Sequence, residues 1–396
     1  MSKLKIFLFF ILYLSFSISI NIVHPITTTY VNNLNLPDYF FGFFFSLMSL
    51  GQVIGAIIFG YLSDKIGRKW LISIGLVLYG FTQFGFGFIN SNPYVILIFR
   101  ILSGIVISAP HTLFVSMCLD ISYNKNQVKY LSILSSILIL GTSLGYEIGG
   151  ALYNYLSFSI SQIFLFQIFL SIITGLIFLI TMQDINLNKL VKNNKFSFNS
   201  LFSLPKMTYL FLIGFLILSV GQILINKYLD PFIIHNGFEP VILGHYVLIT
   251  GIISSISNLI IIPFFKKLKN KKLAICLVSL ILFSSLITYF TFLSDFNLII
   301  LLFSSHLLYL IFKGLITPLE QNEIASFSSG ENYGKLMGAR QTILSIGNVV
   351  GPLIGSIFYV KGSSSVFVIA SSLILISLLI FIYYFTLKFK LIKKDK

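Results

Sequence analysis
Apolar runs of twenty residues or more, broken by short polar stretches, fill this chain from end to end. They lie at about 6–30, 39–62, 71–90, 94–117, 130–155, 161–182, 207–229, 241–265, 273–294, 297–319, 335–359 and 364–387. At 1.5 Å per residue, a helix of ~20 apolar residues matches the hydrocarbon thickness of a bilayer. The pattern predicts an all-α membrane protein with twelve transmembrane helices. An even number places both termini on one side. The longest polar connection, Gln183 to Lys206, is rich in Asn, Ser and Lys. It predicts a linker over 183–206 between a six-helix bundle at 1–182 and a second at 207–396.

Charge decides which side is which. The chain has 27 Lys and Arg against 12 Asp and Glu, a net charge of +15, yet it is 56% hydrophobic and only 10% charged. That balance excludes ordinary soluble domains. On the twelve-helix topology, Lys227 and Lys361 fall on the far side and Arg100 and Lys313 fall inside spans, while the other 23 lie on the side of the termini. Both termini are therefore expected in the cytoplasm. The basic excess is explained by the lipid bilayer as partner, with no nucleic acid.

The first run, behind Lys3 and Lys5, is too long for a secretory signal and lacks a small-residue cleavage site. Cys118 and Cys276 have no metal-ligand or disulfide spacing and read as small apolar fillers. No His/Asp/Glu cluster, Ser-His-Asp set or phosphate-binding glycine loop stands out, so neither an enzyme nor a metal or cofactor site is expected.

The two halves carry traces of a common repeat. Shifted by 206, Lys129, Gly141, Gly145, Gly149 and Tyr153 match Lys335, Gly347, Gly351, Gly355 and Tyr359; shifted by 202, Gly42 matches Gly244. Aligned glycines are more telling than aligned leucines, which an apolar composition supplies freely. Two bundles related as parallel repeats imply a substrate path near the middle of the membrane.

Between the second and third runs lies Gly60-Tyr61-Leu62-Ser63-Asp64-Lys65-Ile66-Gly67-Arg68-Lys69. Its two glycines are expected to let the chain leave one helix and turn into the next. The stretch resembles the Gly-x-Leu-x-Asp-x-x-Gly-Arg-Lys motif between the second and third spans of the major facilitator superfamily. Its counterpart in the second half, Lys266 to Lys272, keeps the charge without the Asp or the glycines.

The resemblance implies a major facilitator fold. It also implies that Asp64 and Asp120 pair with Arg68, beside Lys69, to latch the halves in one state of a rocking cycle. Within the superfamily the chain is most like the twelve-span drug:proton antiporters. Arg100, in Arg100-Ile101-Leu102-Ser103-Gly104, resembles their Arg-x-x-x-Gly proton-coupling element. Gly141, Gly145, Gly149 and Gly150 resemble their Gly-Pro-x-x-Gly-Gly antiporter motif, although Tyr146 stands where that motif has Pro and a Pro occurs at Pro352. The same glycine spacing is also that of plain close helix packing.

By helix rise, Arg100 lies ~9 Å and Glu147 ~12 Å from the outer ends of their spans. That depth match predicts an Arg100–Glu147 pair, either a proton site or a structural ion pair. Spans one, four, seven and ten line the cavity in the resembled fold, and each has a polar face. Span one offers Ser17, Asn21, His24 and Thr28, and span four Arg100, Gly104 and His111. Span seven offers Ser219, Gln222 and Asn226, and span ten His306, Lys313 and Glu320, with Glu320 a possible counter-charge to Lys313. Single histidines are also common as packing residues.

The sequence thus predicts a monomeric carrier of the bacterial plasma membrane, without cofactor. It would export a small amphipathic compound or drug in exchange for protons, with the proton gradient as energy source. Because Arg100 and Lys313 outnumber Glu147 as deep charges, a carrier of a specific metabolite such as a sugar, siderophore or organic anion is the alternative, and a non-transporting receptor a more distant one.

Overall fold
The computed structural model describes residues 3–37, 39–87, 92–122, 127–183, 206–265, 272–292, 300–325, 333–359 and 364–394. Most of the expected linker, the basic run 266–271 and Lys361 lie outside the described residues, as does the side chain of Asp64.

Every described element is helical. α1 is Lys3–Asn21, α2 Thr27–Asn33, α3 Tyr39–Ile66, α4 Arg68–Gly87, α5 Pro93–Ile121, α6 Gln127–Asn154, α7 Ile160–Thr181 and α8 Lys206–His235. α9 is Pro240–Phe265, α10 Lys272–Phe292, α11 Leu307–Ala325, α12 Tyr333–Phe358 and α13 Ser365–Lys394. Among the described residues, eight helices are long and apolar enough to cross a membrane. Large apolar side chains such as Phe7, Ile57, Phe169, Ile180 and Leu379 are exposed on these helices, as they would be against lipid rather than water.

Local signals set the helix starts. Asn92 caps α5 by accepting the Tyr94 N–H at 3.0 Å, with Pro93 in the first turn where its missing N–H costs nothing. Ser159 and Gln162 form a reciprocal capping box at the start of α7.

The expected first span is not one helix. α1 ends at Asn21, and a 3₁₀ turn at His24–Ile26 around Pro25 precedes α2, because a proline has no N–H for a helical bond and its ring clashes with the carbonyl four residues back, here that of Asn21.

The hinge also differs from expectation. Gly60 lies inside α3 with open space beside it, and only Gly67 turns the chain. Its φ of 94° is left-handed, and its N–H bonds the Ser63 carbonyl at 3.2 Å, so it closes α3 while α4 begins at the next residue.

By contacts the chain forms two compact units, residues 1–192 with 233–252, and 193–232 with 253–396. In the first, α3 packs on α5, α4 on α5 and α7, and α1 on α6. Phe114 of α5 is fully buried in its core, with the rings of Phe9, Tyr13, Phe16 and Phe178 centred 5.0 to 5.6 Å away.

The glycine repeat has a structural meaning. Along α6, Gly141 and Gly145 face Ser17 and Asn21 of α1 and Gly149 faces Ile22 just past its end, so closely that a methyl group on any of them would overlap its neighbour. Along α12, Gly347, Gly351 and Gly355 receive Ser219, Ile223 and Tyr228 of α8 in the same way. In each unit a first helix is seated on a glycine ladder running parallel to it. The Tyr228 hydroxyl donates to the Pro352 carbonyl at 2.8 Å, wholly buried. Tyr228→Phe is expected to lower stability by about 1 kcal/mol, read as a fall in melting temperature of the detergent-solubilised protein.

Candidate functional site
Four groups of ionisable side chains stand out in the helices among the described residues. The first is the hinge. Gly67 ends α3 so abruptly that Arg68 opens α4 against the C-terminal part of α5. There its guanidinium donates to the Ser116 carbonyl at 2.9 Å and forms an ion pair with Asp120. Asp120 and Arg68 are thus brought together as expected, but both belong to the first unit, so the clamp ties α4 to α5 rather than one half to the other. Lys65 lies over the Tyr61 ring and Lys69 near Trp70. Arg68→Gln removes a guanidinium–carboxylate pair, and transport is expected to fall several-fold with membrane levels unchanged. Comparing transport per unit of immunoblotted protein checks this.

The second group surrounds Arg100, which is 7% exposed. Its Nε donates to the Phe44 carbonyl at 3.1 Å, and its guanidinium lies 3.6 Å from the centre of the Phe44 ring, with Phe86 and Phe45 at 5.4 and 5.7 Å. A pocket beside it is lined by His24, Tyr30, Tyr79, Gln83 and Gln167, among others. Gln167 donates to the Ser19 carbonyl and to the Tyr79 hydroxyl, leaving its own Oε1 buried without a donor among the described residues. No carboxylate pairs with Arg100 among the described residues. A desolvated guanidinium is held here by a carbonyl and by aromatic faces.

The expected Arg100–Glu147 pair is not formed. Glu147 instead accepts from His245 Nδ1 at 2.9 Å, and His245 Nε2 lies 3.0 Å from the Tyr155 hydroxyl. Equal depth does not bring two residues together when their helices turn those faces to different neighbours: Arg100 faces α3, and Glu147 faces the first half of α9.

The first span's polar face is largely a packing seam. Asn21 donates to the Ser17 carbonyl at 2.8 Å and to Thr142 at 3.2 Å, so the glycine ladder turns Ser17 and Asn21 toward α6 rather than a cavity. His24 does line the Arg100 pocket, stacked on Tyr146 at 5.6 Å and Phe45 at 6.1 Å. Gly104 is seated on α3 against Met48 and Gly51, while His111, beyond Pro110, is exposed.

The last group is in the second unit. Gln222 and Asn226 are half-buried on α8, and Lys227, assigned to the far side near the end of the expected span 207–229, lies well inside that helix, which continues to His235. A π-helical turn at Leu301–His306 leads into α11 and sets buried His306 face to face with Tyr309 at 5.8 Å. The expected Lys313–Glu320 neutralisation is overturned. Glu320, 2% exposed, accepts from Arg340 Nε of α12 at 2.6 Å. Lys313 has no carboxylate partner among the described residues.

Sequence reasoning missed His245, Tyr155, Arg340 as the partner of Glu320, and Glu323, which takes both Lys388 and the Tyr384 hydroxyl. The one available signal for His245 was its place after Gly244, already matched to Gly42.

Two helical units built on one glycine-ladder repeat, with ionisable groups held inside apolar helices, define a multi-pass membrane carrier. The chain belongs to the Major Facilitator Superfamily, whose family model matches residues 6–312 and 301–396. It is a transporter rather than an enzyme.

Among curated proteins it is similar to Multidrug resistance protein 1 of Bacillus subtilis (strain 168), 27% identical over 350 residues, covering 86% of each chain. It is also similar to Quinolone resistance protein NorA of Staphylococcus aureus, 30% identical over 150 residues, or 38% of each chain. Among solved structures, a point mutant of the nucleoside transporter NupG superimposes with a TM-score of 0.79 at 18% identity, covering 97% of this chain and 100% of the other.

Proposed function
We propose that this protein exports small amphipathic compounds from the cell in exchange for protons, by alternating access in a twelve-span fold. On this reading two six-helix halves are joined through 183–206, with both termini in the cytoplasm. The observation that carries the reading is similarity to a multidrug resistance protein over 86% of both chains. The hinge clamp of Arg68 and Asp120 supports a carrier cycle, because a charge pair at helix ends biases a two-state equilibrium. Arg100, set among aromatic rings beside a pocket with polar walls, suits a cargo that is part apolar and part polar.

A second reading, a carrier of an anionic or zwitterionic metabolite, is favoured by one observation: neither Arg100 nor Lys313 has a carboxylate partner among the described residues. A growth-inhibition panel in an efflux-deficient host separates the two. Cationic, zwitterionic and anionic compounds are tested, with Arg68→Gln expressed equally as control. The export reading expects several-fold resistance to chemically unrelated compounds, lost in the variant. Unchanged sensitivity to every compound, with the protein present in the membrane, overturns it in favour of a dedicated metabolite carrier.

A further inference from the structure
α1 and α6 run parallel, so Glu147 lies level with the end of α1, opposite the N-terminus. Here α6 meets the first half of α9 with no room to spare. A methyl group on Gly150 would approach the Val241 backbone within 2.8 Å, and one on Gly244 would approach the Tyr146 carbonyl within 2.9 Å. Polar bonds close the seam. Asn154 accepts from the Val241 N–H at 3.1 Å and donates to Glu239 at 3.0 Å, while His245 bridges Glu147 and Tyr155. The His245 and Glu147 side chains are 46% and 23% exposed, so the bridge is open at one edge while it is formed.

We propose that Glu147, His245 and Tyr155 form a proton-binding latch: a proton taken up by His245 holds α9 on α6, and its loss loosens the seam. With His245 neutral, Nδ1–H donates to the Glu147 carboxylate and Nε2 accepts from the Tyr155 hydroxyl. An added proton goes to Nε2, which then donates to the Tyr155 oxygen, and a neutral–ionic hydrogen bond becomes an imidazolium–carboxylate pair. Histidine is the side chain that ordinarily changes charge between pH 5 and 8. The titratable groups facing this bridge are Glu147 and Tyr155 from the α6 side; Glu239, bonded to Asn154, and His235, bonded to Asn32 at 3.0 Å, lie on the neighbouring segment.

The use of the latch in transport rests on the antiport reading. An antiporter needs its proton to favour closure on the side from which the proton came, and, with the start of α1 on the cytoplasmic side as that reading has it, a protonated latch level with the end of α1 does this.

The test uses full-length protein in lipid nanodiscs, without substrate or gradient. Spin labels are placed on cysteines substituted for the exposed Leu156 and Asn236, and the buried Cys118 and Cys276 are replaced by serine. Distance distributions are recorded from pH 5.5 to 8.5. The ratio of short to long distances is expected to fall about fivefold as pH rises, the size of one partly exposed ion pair. His245→Gln and, independently, Glu147→Gln are expected to flatten the profile, whereas His235→Gln and Glu239→Gln keep it. A flat profile in the parent, a parental profile in both latch variants, or a profile abolished by either control overturns the proposal. Because no cargo is present, failure of the export reading would show separately, as drug-sensitive cells whose purified carrier still titrates.

Discussion
Gly149→Leu is expected to leave little folded protein in the membrane, while Gly60→Ala accumulates and melts at or above the parental temperature. Both are glycines inside long helices of the first half, and both belong to motifs of the sequence. Their surroundings separate them. A side chain at Gly149 would drive into the Ile22 carbonyl and Pro25, where α1 ends in its turn. The obstacle is backbone rather than the flexible end of a side chain, so the two helices must part. Overpacking a core costs about 1–3 kcal/mol where side chains can yield, and here the neighbour cannot. Gly60 has nothing within 4 Å of the position a methyl would take. Replacing a mid-helix glycine by alanine there gains about 0.5–1 kcal/mol. Size-exclusion profiles and melting curves of the solubilised variants check the pair. A Gly149→Leu protein that melts with the parent would mean that the α1–α6 seam is not close-packed.

Arg340→Met is expected to destabilise the second unit by about 3–5 kcal/mol, because it strands Glu320 as a buried charge. The double variant Glu320→Leu/Arg340→Met is expected to recover most of that loss, since a buried ion pair and an apolar pair of similar volume are often nearly equivalent. Unfolding by a graded denaturing detergent measures all three variants. Additive losses in the double variant would show that the two side chains act on stability separately.

What could be read from the chain alone was whatever depends on composition and spacing. Runs of apolar residues at bilayer length dictate helices, since only internally bonded backbone is tolerated in hydrocarbon. Glycines four apart dictate a bare helix face, and their recurrence 206 residues later announces the second ladder, with Ser219 on Gly347 standing where Ser17 stands on Gly141. The turn was legible because a glycine in left-handed backbone ends α3 at Gly67, and Arg68 just after it meets Asp120 of α5.

Tertiary structure decided the partners. Arg100, Glu147, Lys313 and Glu320 were each visible as ionisable residues in apolar runs, and each expected pairing among them was replaced. Spacing fixes which residues share a helix face, but not the rotation of that helix against its neighbours. Close approach at glycines sets that rotation: Gly104 turns Arg100 toward the aromatic rings of α3, and Gly150 and Gly244 turn Glu147 toward His245. The sequence by itself determined the helical class, the glycine repeat and a turn at Gly67. The choice of counter-charge waited on packing, because a buried charge is satisfied by whichever group the close-packed backbones bring within reach.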